Sequence, residues 1–200
     1  MSKVCLKCKE LKDYSEFYPC KNSKDGFGLT CRNCIRIQGK QYRNSLIGLI
    51  KKTYKNQVFS SKKRNHPPPD YTEEEFMIWF IRQDNFLELF NAWVESGFNS
   101  KLKPSGDRLD DYKPYSFDNL RLVTWEENEA KLHKDVKCGI NNKKSKSCIQ
   151  ISLDGEIIAE YFSLREAARC TNSDSAGIAA CCKGKQKKHN GFIWKYKENE

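Results

Sequence analysis

Asp107, Asn119 and Asn128 lie in one stretch, KPSGDRLDDYKPYSFDNLRLVTWEENEAK. A carboxylate and an amide carbonyl are hard oxygen donors. Two of them leave most of an octahedral shell open to water and substrate, the arrangement magnesium or manganese prefers. Such an ion neutralises charge on a scissile phosphate and on its leaving 3′ oxygen. The remaining amide, Asn119, falls at the entry of a strand, where its hydrogen bonds can hold a loop and a general base.

A second constellation stands at the N-terminus. Cys5-Leu-Lys-Cys8 is answered by Cys31-Arg-Asn-Cys34. Each pair can form a knuckle presenting two thiolates, and two knuckles complete a tetrahedral zinc site. With all four positions filled by protein, this zinc holds a fold and activates no water. Cys20 falls between the knuckles and is read as a spare or packing thiol.

The elements that must position the oxygen donors follow from local pattern. Asp107 to Leu109 reads as a short strand, Leu120 to Thr124 as its partner, and residues 110–118 as the loop between them. Thr124-x-x-Glu127 is a capping box, so a helix starts at Trp125 and carries Asn128 in its first turns. Upstream, Thr72-Glu-Glu-Glu75 is another capping box. Phe76, Trp79 and Phe80 follow at helical spacing, and Phe86, Leu89, Phe90 and Trp93 repeat it. These aromatic stripes predict core and a small helical support for the hairpin. His66-Pro67-Pro68-Pro69 stops any helix before them.

Between the cysteines and the prolines the chain is basic, and its apolar residues have approximate helical spacing. Arg36, Lys40, Arg43, Lys51 and Lys52 mark a phosphate-contacting helix or arm. At the other end, Ile149, Ile151 and Leu153 alternate, Asp154-Gly155 turns, and Ile157, Ala159 and Tyr161 alternate again, a hairpin signal. Two short helices follow across Thr171–Asp174. Lys183, Lys185, Lys187 and Lys188 then give a basic edge to what reads as a helix-turn-helix. Phe192, Trp194 and Tyr196 close the sheet, and Cys170, Cys181 and Cys182 are expected to pack between the helices.

The formal net charge of +10 is unevenly spread. Residues 1–65 carry sixteen basic and four acidic side chains, residues 66–134 eight and fourteen, and residues 135–200 twelve and eight. Basic flanks around an acidic centre fit a protein that grips DNA and gathers carboxylates for a cation. No run of eighteen apolar residues appears, and MSKVCLKCKE lacks an apolar signal core, so a soluble intracellular protein with no membrane partner is expected. Ten cysteines in such a chain favour metal over disulfides.

The stretch from DRLD through DNLRLVTWEEN resembles the HNH family of ββα-metal endonucleases, in its phage and intron homing branch. The resemblance implies Asp107 and Asn128 as ligands of catalytic magnesium or manganese, and Asn119 as the residue that shapes the loop. It places Arg108 where the family carries its histidine base. Arginine stays protonated and cannot accept a proton from water, so Arg108 is expected to hold phosphate while another group acts as base. His66, Asp110 and His133 are the candidates, with His66 preferred for its near-neutral titration. The CxxC pairs are similar to small zinc modules that precede such nucleases, and ISLDGEIIAEYFSLREAARC onward resembles modular helix-turn-helix repeats appended to them.

The sequence therefore predicts a multidomain α+β chain. Residues 1–40 form a zinc ribbon-like unit, 41–65 a basic helical arm or linker, and 66–134 the ββα nuclease domain. Residues 135–147 are a linker and 148–197 a helix-turn-helix module. The expected activity is sequence-selective, homing-type nicking of double-stranded DNA by a monomer, from a phage acting in the cytoplasm of a bacterial host. The alternative is a non-catalytic, zinc-containing DNA-binding regulator derived from such a nuclease.

Overall fold

The computed structural model describes residues 1–197. The chain divides into two compact units, Met1–Trp125 and the part from Glu126 onward. The architecture is α+β. No helix among the described residues is long and apolar enough to cross a membrane.

The first unit opens with two small hairpins. β1 (Ser2–Val4) pairs antiparallel with β2 (Leu11–Asp13), and β3 (Phe17–Pro19) with β4 (Phe27–Cys31). β4 runs directly into α1 (Arg32–Arg43), whose N-cap is Cys31 itself, its Sγ accepting from the Cys34 amide. Cys5, Phe17, Cys31 and Cys34 are the buried apolar residues of this part. So small a core needs a further staple to hold its shape.

Ser45 caps α2 (Leu46–Lys63) by accepting from the Gly48 amide. Gly48 is required by packing: a Cβ there would stand 1.8 Å from the Tyr42 carbonyl oxygen of α1. Leu46, Leu49, Ile50 and Tyr54 recur on one face, and Leu49 and Ile50 are fully buried. That stripe builds α2, expected as an arm, into the main core of the unit. More of the core comes from α3 (Glu73–Ile81), with its Thr72/Glu75 capping box, and α4 (Phe86–Glu95). Phe76, Phe80, Phe86 and Trp93 are buried in it, as the aromatic stripes predict.

β5 (Pro104–Arg108) and β6 (Leu120–Thr124) form an antiparallel hairpin in the register Gly106↔Leu122, Asp107↔Arg121, Arg108↔Leu120. Alternation gives it two faces. Leu120 and Leu122 enter the core, and Gly106 lies over α2, where a Cβ would stand 2.9 Å from Nε2 of Gln57. Ser105, Asp107, Arg121 and Val123 belong to the other face. β5 begins three residues earlier than the sequence suggests, because β6 pairs along all five of its residues.

α5 (Trp125–Lys137) follows β6 without a gap and carries the chain across the boundary between the units, which falls inside the expected 66–134 segment. The second unit holds a three-stranded sheet of order β8-β7-β9, from β7 (Cys148–Ile151), β8 (Ile157–Tyr161) and β9 (Ile193–Tyr196). α6 (Leu164–Cys170) and α7 (Ser175–Cys182) supply Ala167, Ile178 and Cys181 to a core with Cys148 and Trp194. β7 buries Cys148 and Gln150 rather than its isoleucines, and the Tyr161 hydroxyl satisfies Gln150 Oε1 at 2.8 Å. Cys170, expected between the helices, is exposed at the end of α6.

Candidate functional site

The four cysteine sulfurs at positions 5, 8, 31 and 34 lie within 4.8 Å of one another. Tetrahedral zinc with Zn–S bonds of about 2.3 Å requires sulfurs about 3.8 Å apart, so the cluster fits the ion. The first pair sits on a turn after β1, closed by Lys9, whose φ of 62° reverses the chain. The second pair is presented by a strand-to-helix junction rather than a second free turn. Burial opposes ionisation of Cys5, but hydrogen bonds from the Cys31, Cys8 and Lys7 backbones outweigh it and bring the thiol down to about 6. Burial and the neighbouring thiols push Cys34 up to about 12. A bound divalent cation would remove that conflict, since thiolates repel one another unless a positive charge sits between them.

Asp107 is 4% exposed, a carboxylate set into the outer face of the β5–β6 hairpin. Directly across the strand pair, Arg121 donates from Nε at 2.9 Å and from Nη2 at 2.8 Å, both to Oδ2 of Asp107. The arginine side chain itself is 43% exposed. Sequence reasoning passed over Arg121, although the hairpin register, once drawn, puts it opposite Asp107.

Arg108 goes the other way. It belongs to the face opposite Asp107, is 5% exposed, and gives its guanidinium to the loop. Nη1 donates to the Asp111 carbonyl at 3.0 Å and the Lys113 carbonyl at 2.8 Å, and Nη2 to Asp111 Oδ1 at 3.2 Å. Its Cζ lies over the Tyr115 ring, 4.9 Å from the ring centre. The expected phosphate-holding arginine is thus placed as a loop staple, because adjacent residues on a strand point to opposite sides.

Asn119 works on the same loop. Its Oδ1 accepts from the Asp110 amide at 2.8 Å, and its Nδ2 donates to the Asp110 and Pro114 carbonyls at 3.0 and 2.9 Å. The loop from Leu109 to Asp118 is thereby pinned from two directions.

His66 is half-buried just beyond α2, its amide donating to the Ser61 carbonyl at 3.0 Å. Asn128, the fourth residue of α5, is half-buried and belongs to the second unit.

Among the basic candidates, Arg36, Lys40 and Arg43 are exposed on α1 at spacings that put them on one stripe, and α1 contains no acidic residue. Lys51 is tied to Glu73 Oε1 at 3.1 Å, whereas Lys52 is exposed. Lys183, Lys185, Lys187 and Lys188 are exposed beyond α7, whose end turns at Gly184 with φ 72°.

No family model and no curated protein matches this chain. Two solved structures resemble it. One is the HNH homing endonuclease I-HmuI, a protein that binds and cleaves DNA. It is 25% identical over 48% of this chain and 60% of its own, with a TM-score of 0.28. The other is the rare-cutting HNH restriction endonuclease PacI, 20% identical over 64% of this chain and 80% of its own, with a TM-score of 0.32. The matched region therefore spans less than two thirds of the I-HmuI chain.

Proposed function

We propose that this chain is a metal-dependent DNA endonuclease of the HNH kind, with Asp107 as the anchor of its catalytic cation. The observation that carries the reading is a buried carboxylate on the outer face of a hairpin whose loop is held by Asn119 and Arg108. Burying a carboxylate is costly unless a positive charge compensates it, and a buried acidic group paired on the outer face of a hairpin is a candidate functional site. Asn128 enters as the second oxygen ligand on the sequence motif alone.

Bound magnesium or manganese would supply charge neutralisation at the scissile phosphate and its leaving oxygen. Asp107 holds that cation through a carboxylate oxygen, and Asn119 fixes the loop that frames it. His66 is assigned as general base, accepting the proton of the attacking water on an imidazole nitrogen. The four-cysteine cluster binds structural zinc. The stripe Arg36, Lys40, Arg43, with Lys51 and Lys52, meets phosphates, as do Lys183, Lys185, Lys187 and Lys188 of a helix-turn-helix module that selects the site. A single centre of this kind cuts one strand, so the product from a monomer is a homing-type nick. A phage origin and a cytoplasmic site of action belong to the same reading.

A second reading has its own observation. Arg108 occupies the position of the family's base and is fully engaged with the loop, which suits a DNA-binding regulator without catalysis. Supercoiled plasmid incubated with the protein in magnesium, manganese or chelator separates the two. Metal-dependent relaxation that disappears in Asp107→Ala and Asn128→Ala supports the nuclease. Binding without relaxation in either metal supports the regulator.

A further inference from the structure

Arg121 is committed to the carboxylate that the proposed site needs for its cation. Both donors converge on one oxygen, Oδ2 of Asp107, from the directly facing position in the hairpin. The carboxylate is buried, but the arginine side chain is 43% exposed, so the guanidinium can leave without breaking core packing. A divalent cation and this guanidinium are both positive and draw on the same negative charge. Held a few ångströms apart, they repel.

We propose that Arg121 is a built-in, exchangeable counter-ion for Asp107. It pairs with Oδ2 of the buried carboxylate when no metal is present, and a divalent cation must displace it to bind. The displaced guanidinium becomes an exposed, planar donor beside the site, suited to bidentate pairing with a DNA phosphate. Metal and DNA then favour one another: the cation releases Arg121, and the phosphate keeps it away from Asp107. Arg121 thus acts through Asp107 and through DNA, and its role rests on the assignment of a cation to Asp107.

The test is manganese titration of the zinc-loaded, DNA-free protein by calorimetry, in wild type, Arg121→Gln, Arg121→Lys and Asp107→Asn. Removing a competing charge-assisted contact should tighten manganese binding by about tenfold in Arg121→Gln. Arg121→Lys, which keeps the charge, should stay near wild type, and Asp107→Asn should abolish the binding. Unchanged or weaker binding in Arg121→Gln, with Asp107→Asn still abolishing it, overturns the counter-ion role and leaves the metal site standing. Binding indifferent to Asp107→Asn overturns the metal site itself, and the counter-ion role with it. A second arm measures affinity for mixed-sequence duplex DNA in manganese and in chelator. Arg121→Gln should weaken binding more in manganese than in chelator, and an equal loss in both conditions overturns the exchange.

Discussion

At the four-cysteine cluster every candidate ligand comes from a CxxC pair, and all four sulfurs converge. At Asp107 the balancing charge comes from Arg121, fourteen residues along and across a strand pair. The first arrangement is closed: protein atoms fill every coordination position, so the site can only hold structure. The second includes a pairing with Arg121, whose side chain is 43% exposed. Closure suits a structural metal site, and a partly exposed partner on a buried carboxylate is what the proposed working site would require.

The sharpest way to break the contrast is to remove one ligand from each. Cys31 both caps α1 and belongs to the cluster. Cys31→Ser, or zinc stripping with a strong chelator, should collapse the hairpins and α1, because their shared core is only Cys5, Phe17, Cys31 and Cys34. The check is loss of amide protection over residues 1–43 together with loss of one zinc per chain by metal analysis. Asp107→Asn should leave the melting of the first unit nearly unchanged, since Arg121 can return to solvent, while ending plasmid relaxation. If Asp107→Asn instead unfolds the unit as Cys31→Ser does, the carboxylate is structural and the contrast is gone.

A smaller effect sharpens the hairpin side. Arg108→Ala removes three hydrogen bonds and a cation–π contact from the loop. Leaving the Asp111 and Lys113 carbonyls less satisfied should cost about 2–3 kcal/mol, read from urea unfolding. Asn119→Ala should cost about 1–3 kcal/mol by the same measurement, because its partners are neutral backbone groups. Both should raise hydrogen exchange over residues 109–119. A catalytic role confined to Arg108 would show the reverse: normal stability and lost activity.

These effects also show what the sequence could and could not disclose. CxxC spacing, the Thr72/Glu75 box and the aromatic stripes are local, and each appears where pattern puts it. β6 and the start of α5 were equally legible, because the strand and helix periods change abruptly at Thr124. What was hidden depended on pairing across distance. Arg121 becomes visible only with the register of β5 against β6. The family resemblance puts Arg108 in the base position beside Asp107, yet strand alternation turns the two side chains to opposite faces. α2 reads as an arm because all of its charges are lysines and only part of its apolar residues keep helical spacing, but a narrow stripe of Leu49 and Ile50 suffices to seat it. In β7 the isoleucines dominate the pattern, whereas the sheet buries Cys148 and Gln150, a face set by packing against α6, α7 and Trp194.

The smallest expected effect distinguishes two adjacent lysines. Lys51 is already paired with Glu73, and that contact raises its pKa. Lys52, one residue on, is exposed on α2. A cation bound to a carboxylate must give up that partner before it meets a phosphate, whereas an exposed one need not. Lys52→Ala should therefore reduce the salt slope of DNA binding by about one. Lys51→Ala should reduce it by less, and Glu73→Gln should restore to Lys51 the effect its neighbour shows. The measurement is the dependence of binding on salt concentration for the three variants on one duplex. Equal slopes for Lys51→Ala and Lys52→Ala would mean the Glu73 pair opens freely on DNA, as an exposed ion pair worth little can. Exchange of a carboxylate partner for phosphate would then extend from Arg121 to α2, and the open region of the molecule would be larger than the hairpin.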